Sequence, residues 1–234
     1  MDGLFEGLKV TDFHGDIHRN IVSPRKSQNL YDDLTDSPEG WQAAIDLEMG
    51  AKPHMYISNQ PVIHRPFEEA AYNEAIDYPF KHWSKTRYSD GSFGVWYGAD
   101  SLETSVHETV YHWRKNFLED AGWHTMEGII TERKVYLVRC DAALLDFIPT
   151  LNAFPALIDP APGGYYLTHQ VGARMNHDGH PGLRSRSAHC KGDIYAIFNP
   201  KILSNPRPTC YLTYQIKAGS VIVERQPGVV LLRI

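Results

Sequence analysis

The sequence predicts an α+β fold. Three observations carry this. Strand-like apolar runs are numerous and short, at residues 95–97, 129–130, 135–140, 194–198, 210–216, 220–223 and 229–234. Helical spacing appears between few of them, which argues against the alternating units of a doubly wound parallel sheet. No G-x-G-x-x-G follows a strand and no G-x-x-x-x-G-K-[ST] occurs, so neither a Rossmann turn nor a P-loop is expected.

The 234 residues suffice for one well-buried domain, placed at 61–234, with residues 1–60 as an N-terminal extension packing on the core or on a partner. The extension has weak strand signals and one helix. Ser37 supplies its N-cap, Pro38 stands at N1, Trp41, Ala44, Ile45, Leu47 and Met49 form its apolar face, and Gly50 stops it. Composition shifts at Pro61 to alternating apolar and polar segments, and residues 68–75 read as a helix that Pro79 ends. The turn Ser89-Asp90-Gly91-Ser92 leads into the run Val95-Trp96-Tyr97, which Gly98-Ala99-Asp100 breaks.

A helix is expected over 102–120. Ser101 is its N-cap, Glu103 lies in the first turn, Val106, Val110, Trp113 and Phe117 form its apolar stripe, and Gly122 closes it. At about 100° per residue Glu108 points away from that stripe. Residues 149–164, with four prolines and two glycines, form a loop bordering the site or linking two layers, and 165–175 form a short helix.

Hydrophobic residues at 42% and charged residues at 22% are ordinary for a globular chain, and a formal net charge of −5 offers no ground for direct nucleic-acid binding. Cys140, Cys190 and Cys210 are odd in number and widely spaced, so a reduced compartment is expected and a disulfide framework is not. The first residues lack a basic start and an apolar core, and no stretch approaches the roughly 20 apolar residues of a membrane span. A cytoplasmic location is the expectation.

Several groupings invite metal or nucleophile readings. His107-Glu108-Thr109-Val110-Tyr111-His112 has one residue too many for H-E-x-x-H, which leaves its histidines roughly 140° apart on a helix. His177, His180 and His189 with Cys190 form a loop cluster that would be the basis of a metal-dependent hydrolase. Cys190 beside His189 lacks an identifiable third catalytic group.

Arg87, Tyr97 and Glu108 follow one another at intervals of ten and eleven residues. Downstream, Gly182-Leu183-Arg184-Ser185-Arg186-Ser187 precedes an apolar strand that ends at Phe198-Asn199-Pro200, and upstream Ile63-His64-Arg65 reads as an opening strand. Residues 61–217 thereby resemble the RES family, and Ser187 matches its serine. Arg184, Ser185 and Arg186 depart from the more apolar residues of the family pattern, and the two arginines suit either a phosphate acceptor or a partner interface.

The resemblance implies an ADP-ribosyltransferase-like core of short strands in a split or curved sheet with flanking helices. It also implies a bacterial toxin that consumes NAD+, held in a hetero-oligomer by a small antitoxin whose helix-turn-helix domain makes any DNA contact. NAD+ is then the substrate, with no further cofactor and no metal. Glu108 would stabilise an oxocarbenium-like centre, Arg87 and Arg65 would hold the pyrophosphate, Tyr97 would pack on nicotinamide or ribose, and Ser187 would donate to a ligand oxygen. The acceptor is water, inorganic phosphate or a protein side chain, the last giving a protein ADP-ribosyltransferase. A non-catalytic interaction module is the reading from a different class.

Overall fold

The computed structural model describes residues 2–22, 75–119, 122, 127–160 and 165–234. The expected helix at 37–50, the expected strand at 63–65 with Arg65, and most of the expected helix at 68–75 lie outside these residues.

Among the described residues one eight-stranded sheet carries the fold, in the order β1-β2-β5-β4-β3-β6-β7-β8, with an additional β1–β3 pairing that closes β1, β2, β5, β4 and β3 into a ring. The strands are β1 (Lys9–Val22), β2 (Trp96–Ala99), β3 (Ile130–Asp146), β4 (Gly182–Arg186), β5 (Asp193–Ile197), β6 (Leu203–Lys217), β7 (Ser220–Gln226) and β8 (Val229–Arg233). Every pairing is antiparallel except β3–β4. The helices are α1 (Asp2–Phe5), α2 (residues 75–81), α3 (Leu102–Trp113) and α4 (Tyr165–His177). A mixed α/β fold is therefore present, but its longest strands are not short.

β3 organises the sheet. The expected separate strands at 129–130 and 135–140 are one strand of 17 residues, because β1 pairs along one edge from Lys9↔Asp146 to Val22↔Arg133 while β6 occupies the other. Its register with β6 shifts between Val135↔Cys210 and Tyr136↔Pro208, leaving Thr209 extra. That bulge accommodates a proline with no N–H to give and reverses the alternation, so that consecutive Val135 and Tyr136 are both buried. Val135 joins the core beneath α3 with Val106, Val110, Trp113, Leu212 and Tyr214. Tyr136, Val138, Cys140 and Leu144 pack instead with Trp96 and Ile197.

Residues 9–22, assigned from sequence to an extension outside the core, are thus part of the sheet. Their local signal is weak because polar residues such as Asp12, His14 and Asp16 occupy the exposed positions and Ile17 is among the few fully buried ones.

Two glycine and proline readings are corrected. β2 runs through Gly98 and Ala99 where a break was expected, because the Trp96 ring lies over Gly98: a Cβ there would stand 2.6 Å from it. Pro79 does not end α2, which continues to residue 81. A proline deprives the carbonyl four residues earlier of its helical donor, and that carbonyl, on Ala75, accepts from Trp96 Nε1 at 2.7 Å. Trp96→Phe is expected to lower stability by about 1–3 kcal/mol through the buried carbonyl it orphans, measurable by urea denaturation.

The long helix expected over 102–120 is α-helical to Trp113 and then π-helical over Arg114–Glu119, with Leu118 buried. Its start is as expected, since Ser101 Oγ accepts from the Thr104 amide at 3.1 Å and Glu103 sits in the first turn. α4 covers the expected 165–175 and ends two residues later. No helix among the described residues is long and apolar enough to cross a membrane.

Candidate functional site

A cavity of about 380 Å³ opens where β1, β2, α2 and α3 meet. The side of α3 opposite its apolar stripe faces it: Ser105, Glu108, Thr109 and His112 follow at intervals of three and four residues and all line the wall. That polar stripe is a sequence signal that inspection of the apolar face alone passes over. Arg87 and Tyr97 line the same cavity.

Glu108 and Ser187 meet directly. Ser187, buried in the turn after β4, donates from Oγ to Glu108 Oε1 at 2.5 Å, and its oxygen accepts from the amides of His189 at 3.0 Å and Cys190 at 3.1 Å. A hydroxyl has one proton and two lone pairs, so Ser187 is fully committed. It orients the glutamate rather than offering its proton to a ligand, as the sequence reading had it. The turn reaches α3 because Gly192 has no Cβ, which would otherwise meet Thr104 Oγ1 at 1.8 Å, and because Asp100 and Asp193 exchange hydrogen bonds of 3.0 Å.

Burial pushes the Glu108 carboxyl above its ordinary range, while Ser187, the Arg87 charge and the Ala188 amide pull it part of the way back. His189 stacks on Tyr111 with ring centroids 3.7 Å apart, and its Nε2 lies 3.8 Å from Glu108 Oε2. Burial, with the nearby charges of His112, Arg87 and His107, pushes this imidazole down to about 4, so at neutral pH the contact is not an ion pair.

The Tyr97 hydroxyl is engaged within the protein. It donates to Thr86 Oγ1 and accepts from the Tyr88 amide, each at 2.9 Å, which leaves the ring as the face toward the cavity. It thereby pins the 86–88 loop that carries Arg87, with help from His169 Nε2, 2.8 Å from Thr86 O. Arg87 Nη1 donates to Asp159 O at 2.9 Å, and its guanidinium lies 5.0 Å from the Tyr165 ring centroid. Tyr111 donates to Pro160 O at 2.9 Å, so the proline-rich loop borders the site. Arg87 Nη2 is buried without a partner among the described residues.

The remaining polar groupings are bound within the protein. Arg184 and Arg186 are both bound to Asp193 and neither lines the cavity, so they do not serve a phosphate acceptor there. His177 is exposed and paired with Asp178 at 2.9 Å, His189 is packed beside Glu108, and no group of three or more metal-ligating side chains forms among the described residues. The cysteines are free.

Sequence reasoning missed His18, Arg19 and Asn20, which bring β1 into the wall. Asn20 Oδ1 accepts from Arg133 Nε at 2.7 Å and its Nδ2 donates to Tyr214 OH at 2.9 Å; that hydroxyl is 2.8 Å from Thr109 Oγ1. No local signal marks these residues, because their place comes from pairing with β3.

Fold and site together define a mixed α/β protein with a cavity lined by Arg19, Arg87 and the half-buried acid Glu108. The RES domain family matches residues 62–217, and the chain belongs to that family. It is also similar to a chain in the crystal structure of the M. tuberculosis MbcT–MbcA toxin–antitoxin complex, with 10% identity over 87% of this chain and 86% of that one and a TM-score of 0.46. No curated protein matches the sequence.

Proposed function

We propose that this protein is the toxin of a toxin–antitoxin pair and cleaves NAD+ at the nicotinamide–ribose bond, passing the ADP-ribosyl group to water or inorganic phosphate. The observation that carries this reading is the Glu108 carboxylate, clamped by Ser187 at 2.5 Å, in the same cavity wall as Arg87.

As the glycosidic bond breaks, its electron pair goes to the pyridinium nitrogen, which becomes neutral, so nicotinamide leaves without a general acid. The positive charge thereby passes from the pyridinium ring to the ribose carbon, which becomes oxocarbenium-like, and a carboxylate fixed beside that carbon stabilises the charge there more than on the ring. The acceptor oxygen then bonds to this carbon and releases its proton to Glu108 or solvent. Arg87 supports the substrate anion by charge-assisted hydrogen bonds, and the Tyr97 ring supplies a flat wall. No metal and no further cofactor has a part in this scheme. The partner is a small helix-turn-helix antitoxin that blocks the cavity and supplies the DNA contact.

Purified protein incubated with NAD+ and a chelator is expected to release nicotinamide, followed by chromatography. No release with water, phosphate or a protein acceptor would overturn the reading, and label retained on protein would redirect it to protein ADP-ribosylation.

The acidic limb of kcat/KM is expected above the ordinary glutamate pKa of about 4.3, because burial raises Glu108 and the ionised form is the active one. In Ser187→Ala the limb should move to still higher pH, since the hydrogen bond removed favours the carboxylate. A limb that stays in place would separate Ser187 from the charge of Glu108.

A further inference from the structure

We infer that His189 is a positioning residue for Glu108: its imidazole presents the Nε2 proton to Glu108 Oε2 and holds this second carboxylate oxygen while Ser187 holds the first. What the held carboxylate then does rests on the proposed NAD+ cleavage, whereas the contact itself does not. In the sequence His189 reads only as one member of a histidine and cysteine cluster, because Glu108 is distant in the chain.

The two oxygens of Glu108 have different partners. Oε1 accepts from Ser187 Oγ at 2.5 Å, and Oε2 faces His189 Nε2 at 3.8 Å. That nitrogen is buried and has no hydrogen-bond partner among the described residues. A buried ring nitrogen left unsatisfied is costly, and the carboxylate oxygen is the acceptor in front of it. A lone pair on Nε2 would oppose those of the carboxylate, so the ring proton belongs on Nε2 and not on Nδ1. The separation is about 1 Å longer than an N–H···O hydrogen bond, and such bonds at reacting groups often close only in the complex with substrate.

The turn after β4 delivers both partners as one unit, since the His189 amide donates to Ser187 Oγ at 3.0 Å. Tyr111 fixes the plane of the imidazole: the ring centroids are 3.7 Å apart with 19° between the planes, and Tyr111 is itself anchored by its 2.9 Å hydrogen bond to Pro160 O. His112 meets the imidazole edge-on at 6.2 Å. The titratable and charged groups facing it are thus Glu108, His107, Tyr111 and His112 of α3 and Arg87 of the 86–88 loop. Burial first, then His112, Arg87 and His107, push its pKa down to about 4, so the ring is neutral at pH 7. A neutral donor fixes the carboxylate without cancelling its charge, whereas an imidazolium would pair with that charge and weaken its effect on a developing cation.

The test combines nuclear magnetic resonance of the unaltered protein, read at the His189 ring nitrogens and the Glu108 carboxyl carbon, with the variants His189→Phe and His189→Gln. His189→Phe keeps a flat ring against Tyr111 but has no donor, and His189→Gln restores one N–H near the place of Nε2. The unaltered protein is expected to carry the ring proton on Nε2 at pH 7. In His189→Phe the Glu108 titration midpoint should rise by about 0.5–1 pH unit, because the lost donor favours the ionised form, and kcat for nicotinamide release should fall about five- to tenfold with KM little changed. His189→Gln should recover part of both. Three results would overturn the assignment: the ring proton sits on Nδ1 at neutral pH; the Glu108 midpoint is the same in His189→Phe as in the unaltered protein; or His189→Gln is as impaired as His189→Phe and both melt at lower temperature, which makes His189 a packing residue only. A midpoint that moves as stated in a protein that never cleaves NAD+ would uphold the contact and refute only the functional reading.

Discussion

Glu108→Gln is expected to slow nicotinamide release by about 10³-fold while leaving the protein folded. The amide has nearly the same shape and its oxygen still accepts from Ser187 Oγ, so the geometry at 2.5 Å survives and only the charge is lost. Removing one preorganised electrostatic group from a water-poor site typically lowers kcat by about 10²–10³, and loss of a proton-accepting role would add to that. The variant should also be slightly more stable than the unaltered protein at neutral pH. Because burial raises the Glu108 pKa in the folded state, the stability it contributes is complete below its unfolded pKa and is lost as pH rises through the folded value. Single-turnover nicotinamide release and thermal denaturation at two pH values check both parts. A variant that keeps full activity would remove Glu108 from the mechanism.

Gly172→Ala should be the most damaging single methyl in the helical layer. Gly172 is buried in α4, and a Cβ there would lie 1.7 Å from Tyr88 O and 2.7 Å from the same carbonyl carbon. Both atoms are backbone, so no side chain can swing aside. In a free helix the substitution would gain about 1 kcal/mol, but overpacking against a fixed carbonyl is expected to cost about 3 kcal/mol or more, and the second effect wins. The displaced segment is the loop that carries Arg87, so a raised KM for NAD+ should accompany the lowered denaturation midpoint. An unchanged midpoint would show that α4 and the 86–89 loop are not packed this closely.

Much of α3 was legible in the chain. Ser101, Glu103, and the positions of Val106, Val110 and Trp113 are adjacent or within a few turns, so capping and burial are written at helical spacing. The turn-strand-helix order around Arg87, Tyr97 and Glu108 was legible for the same reason, although the strand lies one to two residues later than its apolar run suggests. Which atoms these residues offer was not legible. The Tyr97 hydroxyl and the Ser187 proton are spent on Thr86, Tyr88 and Glu108, partners that only the folded chain brings near.

β1 marks the limit. Its sequence, KVTDFHGDIHRNIV, has one fully buried apolar residue, Ile17, and reads as polar. It is a strand because its backbone donors and acceptors pair with residues 133–146 of β3. Pro79 shows the converse: its local message is to stop a helix, and Trp96 Nε1 satisfies the carbonyl that this would strand.

By itself the sequence determined the helix caps, the turn residues, the apolar and polar faces of α3 and the class of fold, because each depends on side chains within a few residues of one another. The tertiary structure alone decided that β1 enters the sheet, that a bulge divides β3 between two cores, and that Arg19 joins Arg87 and Glu108 in one cavity. Those outcomes depend on pairing residues far apart in the chain, from Val135↔Cys210 in the β3–β6 pair to Lys9↔Asp146 in the β1–β3 pair, and only the burial and hydrogen bonding of the whole sheet offset the entropy of doing so.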